Sequence, residues 1–146
     1  MRKVSRSALV PYSSMQMYAL VEDVGAYPDF LPWCTGSTVH CKDDAIIEAS
    51  LELQRGGIRK SFRTRNGLSP GKSMSIGLVG GPFRHLAGNW QFEQLGSDGS
   101  KVALELEFEF ENRVTDTLFG RYFEETCNSL IDSFLSRAGQ IYGGRR

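Results

Sequence analysis

Ten residues constrain this chain more than any other stretch. In VALELEFEFE, residues 102 to 111, Val102, Leu104, Leu106, Phe108 and Phe110 alternate with Ala103 and four glutamates, Glu105, Glu107, Glu109 and Glu111. Successive side chains on a strand point to opposite faces, so the segment has one dry face and one wet face. It belongs in an antiparallel sheet covered on one side only.

The same period recurs upstream. Ile47, Ala49, Leu51 and Leu53 share one face, and Glu48, Ser50 and Glu52 the other. Ile58 to Thr64, Ser73 to Val79 and Leu86 to Leu95 read as further strands, separated by Gly56-Gly57, NGLSPGK and GGPFRH. Lys3 to Val10 reads as a first strand stopped by Pro11. From Ser13 the spacing turns helical through Met17, Leu20, Val21 and Val24, with Ser13 and Gln16 in the form of a capping box and Gly25 as the stop. After Asn112 it is helical again, with a broad apolar stripe from Leu118 to Ala138 that predicts one long helix ending near Gly139. The expected order is strand, helix, the segment AYPDFLPWC, a six-strand meander and the terminal helix, as a single domain over residues 1–146.

Seven antiparallel strands about 4.8 Å apart make a sheet roughly 30 Å wide. A helix of about 24 residues is about 36 Å long but only about 10 Å across. One helix cannot cover that face, so the sheet must curl around it, and the remaining inner surface must be plugged or left hollow. The expected fold class is therefore α+β, with a curved seven-stranded sheet gripping a long C-terminal helix and two short helices after the first strand. By alternation Trp90, Phe92, Phe108 and Phe110 face inward.

The stiff segment AYPDFLPWC, residues 26 to 34, is the natural plug. Pro28 suits the first position of a single helical turn, and Pro32 stops it, leaving Phe30, Leu31 and Trp33 to project inward as a core staple or a ligand-contacting lid.

Charge narrows the partners. Lysine plus arginine (17) balances aspartate plus glutamate (17), so no net field draws the chain to nucleic acid or an anionic membrane. No apolar run is long enough for a spanning helix, and MRKVSRSALV has no secretory apolar core. A cytoplasmic location is expected, with peripheral contact at the inner membrane as an option. Cys34, Cys41 and Cys127 are an odd number without CxxC spacing, so reduced thiols are expected.

The runs ALVPYSSMQMYALVEDVGAYPDFLPWC, FRTRNGL, GPFRHLAGNW and FEFENRV together resemble bacterial members of the START-like polyketide cyclase/dehydrase group. That group takes in the ribosome association toxins and the mitochondrial coenzyme Q-binding proteins. The resemblance covers nearly the whole chain and implies a helix-grip fold. It also implies two activities: binding a polyprenyl quinone such as ubiquinone in support of respiration, and blocking the association of ribosomal subunits. The cyclase label is warrant for a fold more than for an activity.

The expected function is thus non-catalytic binding of a quinone or other lipid, with no cofactor. Expected lining residues are Phe30, Leu31, Trp33, Trp90, Phe92, Phe108, Phe119, Tyr122 and Phe123. Phe83 lies at the apolar tip Gly77–Phe83, which either meets a membrane, folds back over the cavity mouth or is simply a turn. Lys60 shares a strand face with Ile58 and Phe62, where it would present its ammonium to a quinone carbonyl or to an acidic partner at the cavity rim, unless a bulge at Gly56-Gly57 shifts the facing or the chain reaches outward. Arg59, Arg63 and Arg65 form a basic row suited to ribosomal RNA phosphates, unless carboxylates pair with them.

Catalytic constellations are missing. His40 and His85 have no Cys or carboxylate at ligand spacing, so no metal site is expected, and PGKS at 70 to 73 lacks the leading glycine of a phosphate loop at Asn66. A cyclase would need an acid-base pair in the cavity, for which only Lys60 and Tyr122 are on offer.

Overall fold

The computed structural model describes residues 1–143. Strand β1 (Arg2–Val10) leads through Pro11 into helix α1 (Ser14–Glu22), whose start is the expected capping box. Ser13 Oγ accepts from the Gln16 N–H at 3.1 Å, and the Ser13 N–H donates to Gln16 Oε1 at 2.9 Å, which satisfies two otherwise orphaned donors. The helix stops at Glu22 rather than Gly25, and Val24–Asp29 forms a 3-10 segment with Pro28 in its interior instead of at its start.

The meander follows as β2 (Cys34–Lys42), β3 (Ile46–Arg55), β4 (Ile58–Ser69), β5 (Ser73–Gly80), β6 (Phe83–Leu95) and β7 (Gly99–Phe110). The seven antiparallel strands run in the order β1-β7-β6-β5-β4-β3-β2, so the first strand pairs with the last and the two edges are β1 and β2. In β7 the alternation is realised as read: Val102, Leu104, Leu106, Phe108 and Phe110 are all buried. Strand β2 carries no such pattern because it is an edge strand, exposed along most of its length and shifted in register twice against β3.

Two boundaries differ from the sequence pattern for the same reason. NGLSPGK reads as a turn, yet Asn66 to Ser69 continue β4, because Asn66 and Gly67 pair with Ile47 and Ile46 and the Gly67 N–H donates to Ser75 Oγ. Likewise β6 begins at Phe83, whose ring turns inward and stacks on Phe110 at 4.6 Å. The turn before it needs Gly81, which has φ +137° and lies so close to Phe62 that a Cβ would come within 2.6 Å of it.

The single long helix of the sequence reading is broken into pieces. A short α2 (Arg113–Thr115), begun by Asn112 accepting from the Thr115 N–H, runs into a π turn (Asp116–Gly120), then α3 (Arg121–Asn128) and, after Ser129, α4 (Leu130–Ile141). At the π turn Gly120 is pressed against the Asp116 carboxylate and the Arg2 guanidinium. Arg2 in turn holds Asp116 at 3.0 Å and Glu124 at 2.8 Å, tying the edge strand to the helix. The sheet curls around these segments, and its inner face, the helices and the 3-10 segment share one apolar core. This is the helix-grip arrangement.

Candidate ligand-binding site

Between the inner face of the sheet and the helices lies a cavity of about 80 Å³. Phe62, Met74, Leu86 and Trp90 line it from the strands, Phe123, Cys127, Leu130 and Phe134 from α3 and α4, and Val24, Tyr27 and Trp33 from the connecting segment. Two aromatic nodes bound it. Around Phe123 stand Trp33, Phe62, Phe83, Phe108 and Phe110, with Phe108 nearest at 4.9 Å between ring centres. Around Phe134 stand Phe30 at 5.2 Å, Tyr27 at 5.5 Å and Trp90 at 5.5 Å, all edge to face. Such pairs favour the edge-to-face geometry electrostatically, which holds the walls in place.

Few polar groups interrupt the lining. The Tyr27 hydroxyl donates to the Val21 carbonyl at 2.5 Å, and burial pushes its pKa far above the ordinary phenol value. Burial likewise lifts the Cys127 thiol, which disfavours the thiolate there. Thr64 and Asn66 remain, both on β4 and both on the side that Phe62 faces. Asn66 donates through Nδ2 to Met74 Sδ at 3.7 Å, while its Oδ1 is shielded from solvent and has no partner among the described residues.

The structure distributes the sequence candidates unevenly. Trp33, Trp90 and Phe123 come together at the cavity. Leu31, Phe83, Phe92, Phe108 and Phe119 are buried in the core around it without lining it. Phe30 is half-buried, packed on Phe134 with the Arg137 guanidinium 5.0 Å above its ring. Tyr122 points the other way, donating to the Gln54 carbonyl at 3.2 Å under Arg55. Lys60 lies half-buried beyond the cavity. No bulge displaces it, since β3 and β4 pair without a shift from Arg55 to Ile46; instead the strand outruns its cover, and Ile58 on the same side is 41% exposed. Lys60 and Tyr122 therefore make no acid-base pair in the cavity.

Tyr27, Thr64, Asn66 and Phe134 are lining residues that sequence reasoning did not single out. Thr64 was within reach through its parity with Phe62, and Phe134 through the helical stripe. The turn-like composition of NGLSPGK hid Asn66.

On the outer face of β4, Arg63 and Arg65 both bond Glu48, with Arg65 at 3.4 Å, so carboxylate pairing offsets part of the basic row. Arg59 is exposed near the hairpin. His85, far from any carboxylate in sequence, is brought 2.9 Å from Glu107 by the β6–β7 register. Among the described residues no group of three or more His, Cys, Asp or Glu is placed to hold a metal, and no helix is long and apolar enough to cross a membrane. At the Gly77–Phe83 tip, Val79 is exposed while Phe83 is buried.

The sequence profile of the polyketide cyclase / dehydrase and lipid transport family matches residues 10–135. The chain belongs to this family. Within it, the chain is 46% identical to a protein named ribosome association toxin RatA from Vibrio cholerae, covering 98% of this chain and 99% of that one. It is 29% identical to the mitochondrial coenzyme Q-binding protein of Dictyostelium discoideum over 90% of this chain and 66% of that one. Among solved structures, the Zhui aromatase/cyclase of a Streptomyces species superposes with a TM-score of 0.84 at 15% identity over 99% of both chains. At that identity the likeness is one of fold.

Proposed function

We propose that this family member binds a hydrophobic small molecule, a polyprenyl quinone being the leading class, between sheet and C-terminal helices and without chemistry of its own. The observation that carries this reading is the cavity itself, aromatic and aliphatic around two polar side chains. Affinity would come from burial, at about 25 cal/mol per Å² of apolar surface, and the polar pair would orient a head group. A dry cavity of roughly 150 Å³ holds one benzene, so at about 80 Å³ the site admits a ring only when its walls part. Solvent extraction of the purified protein followed by mass spectrometry should yield a quinone-class lipid. Repeatedly empty preparations whose melting temperature is unmoved by added short-chain quinone or its hydroquinone would sink the reading.

A second reading is favoured by the full-length 46% identity to a protein named as a ribosome association toxin. Here the outer surface would meet the large ribosomal subunit and keep the subunits apart, with Arg59, Arg63 and Arg65 as the contact. The two readings use opposite sides of β4 and are compatible. Replacing all three arginines with glutamate should abolish any block on subunit joining seen in sucrose gradients; inhibition that survives moves the contact elsewhere.

A further inference from the structure

Within the cavity, one atom is chemically selective. Asn66 Oδ1 is shielded from solvent, lacks a hydrogen-bond partner among the described residues, and belongs to a side chain that lines the cavity. Native proteins leave few buried polar atoms in that state, and those that remain call for a reason. Met74 favours this orientation of the amide, because Nδ2 donates to the weak acceptor Sδ, whereas the reversed amide would place two acceptors against each other. Tyr18 Oη, the other shielded group without a partner among the described residues, packs with its ring against Phe92 and does not line the cavity.

Resting on the cavity-binding reading above, we infer that the preferred occupant carries an aryl hydroxyl that donates to Asn66 Oδ1: a phenol or hydroquinone rather than a quinone. A quinone ring offers only carbonyl acceptors, and against Oδ1 these meet acceptor to acceptor. Thr64, two residues away on the same strand face, has a hydroxyl that both donates and accepts. It tolerates either oxidation state, so discrimination falls to Asn66. The binding cavity then favours the reduced over the oxidised form of one ring, a preference that a purely apolar site would not supply.

The test uses the full chain and a redox-inert pair of probes, 4-propylphenol and 4-propylanisole, titrated by calorimetry. They differ in the hydroxyl proton, and in a purely apolar cavity the anisole, being the more apolar, binds better. The expected result is the opposite: the phenol binds about ten- to a hundredfold tighter, the span that satisfying a buried acceptor typically covers. Asn66→Leu should erase that preference. Equal binding of the pair by the native chain, a preference for the anisole, or a phenol preference that survives Asn66→Leu overturns the inference while leaving the cavity reading intact. Binding of neither probe overturns both, since a water then suffices for Oδ1. If Asn66→Leu does not fold, the sign of the preference in the native chain decides alone.

Discussion

Cys34 and Cys127 are buried and Cys41 is exposed on the edge strand β2. Burial raises both inner thiols above the ordinary thiol range, and the Cys34 thiol donates to the Gly36 carbonyl at 3.3 Å. Ellman's reagent should therefore label Cys41 rapidly in the native protein and the other two only on unfolding; two fast thiols would contradict this placement. At the other end of the pKa scale, Arg2 bonds the ionised Asp116 and holds its carboxyl below the usual range. A carboxyl depressed on folding adds stability above the unfolded carboxylate pKa near 4, and that stability is lost as pH falls through the folded value. Because the Asp116 side chain is 42% exposed, the contribution is less than about 1 kcal/mol. Asp116→Asn should cost no more than this and flatten the acid limb of a stability-pH curve.

At this scale legibility depended on whether a residue lies on a clear period. Phe62 and Thr64 could be faced by counting in twos. Asn66 could not, because its neighbours Gly67, Ser69, Pro70 and Gly71 signal a turn, and only pairing with Ile47 keeps it in the strand.

Among the elements, the sheet was readable because each strand repeats one instruction many times, and a misplaced end changes little. What the pattern leaves out is close approach. Gly88 on β6 sits opposite Leu106, and a Cβ there would meet the Glu105 carbonyl oxygen and lie 2.9 Å from the Leu106 Cα, backbone that cannot step aside. Gly88→Ala should cost about 1–3 kcal/mol or more by urea denaturation. Gly57→Ala, with nothing within 4 Å, should stay within about 0.5 kcal/mol. The terminal helix shows the converse limit. Its apolar stripe is continuous from Leu118 to Ala138, so one helix was expected, but the stripe survives both the π turn and the break at Ser129. The π turn sits where Arg2 meets Asp116, residues more than a hundred positions apart in the chain.

For the whole molecule, the decisive number was a mismatch of widths: a sheet of roughly 30 Å against a helix of about 10 Å. It required a curled sheet and a third element to close the gap, and AYPDFLPWC supplies Tyr27 and Trp33 to that closure. Phe134 is the ring on which Tyr27, Phe30 and Trp90 converge. Phe134→Ala should lower stability by about 3–5 kcal/mol. The enlarged space should then take up ring-sized apolar compounds such as indole, which should raise the melting temperature of the variant more than that of the native chain. A variant that loses stability yet responds to no such compound would mean that the walls collapse inward. The sequence by itself determined the class of fold, the inner and outer face of most strands, and the need for a plug, because these follow from local periodicity and the dimensions of regular structure. Only the tertiary structure decided which inward residues border empty space and which are simply packed, and that Asn66 Oδ1 lacks a donor among the described residues. A void and an unpaired atom are properties of everything that surrounds them, and their neighbours come from every part of the chain.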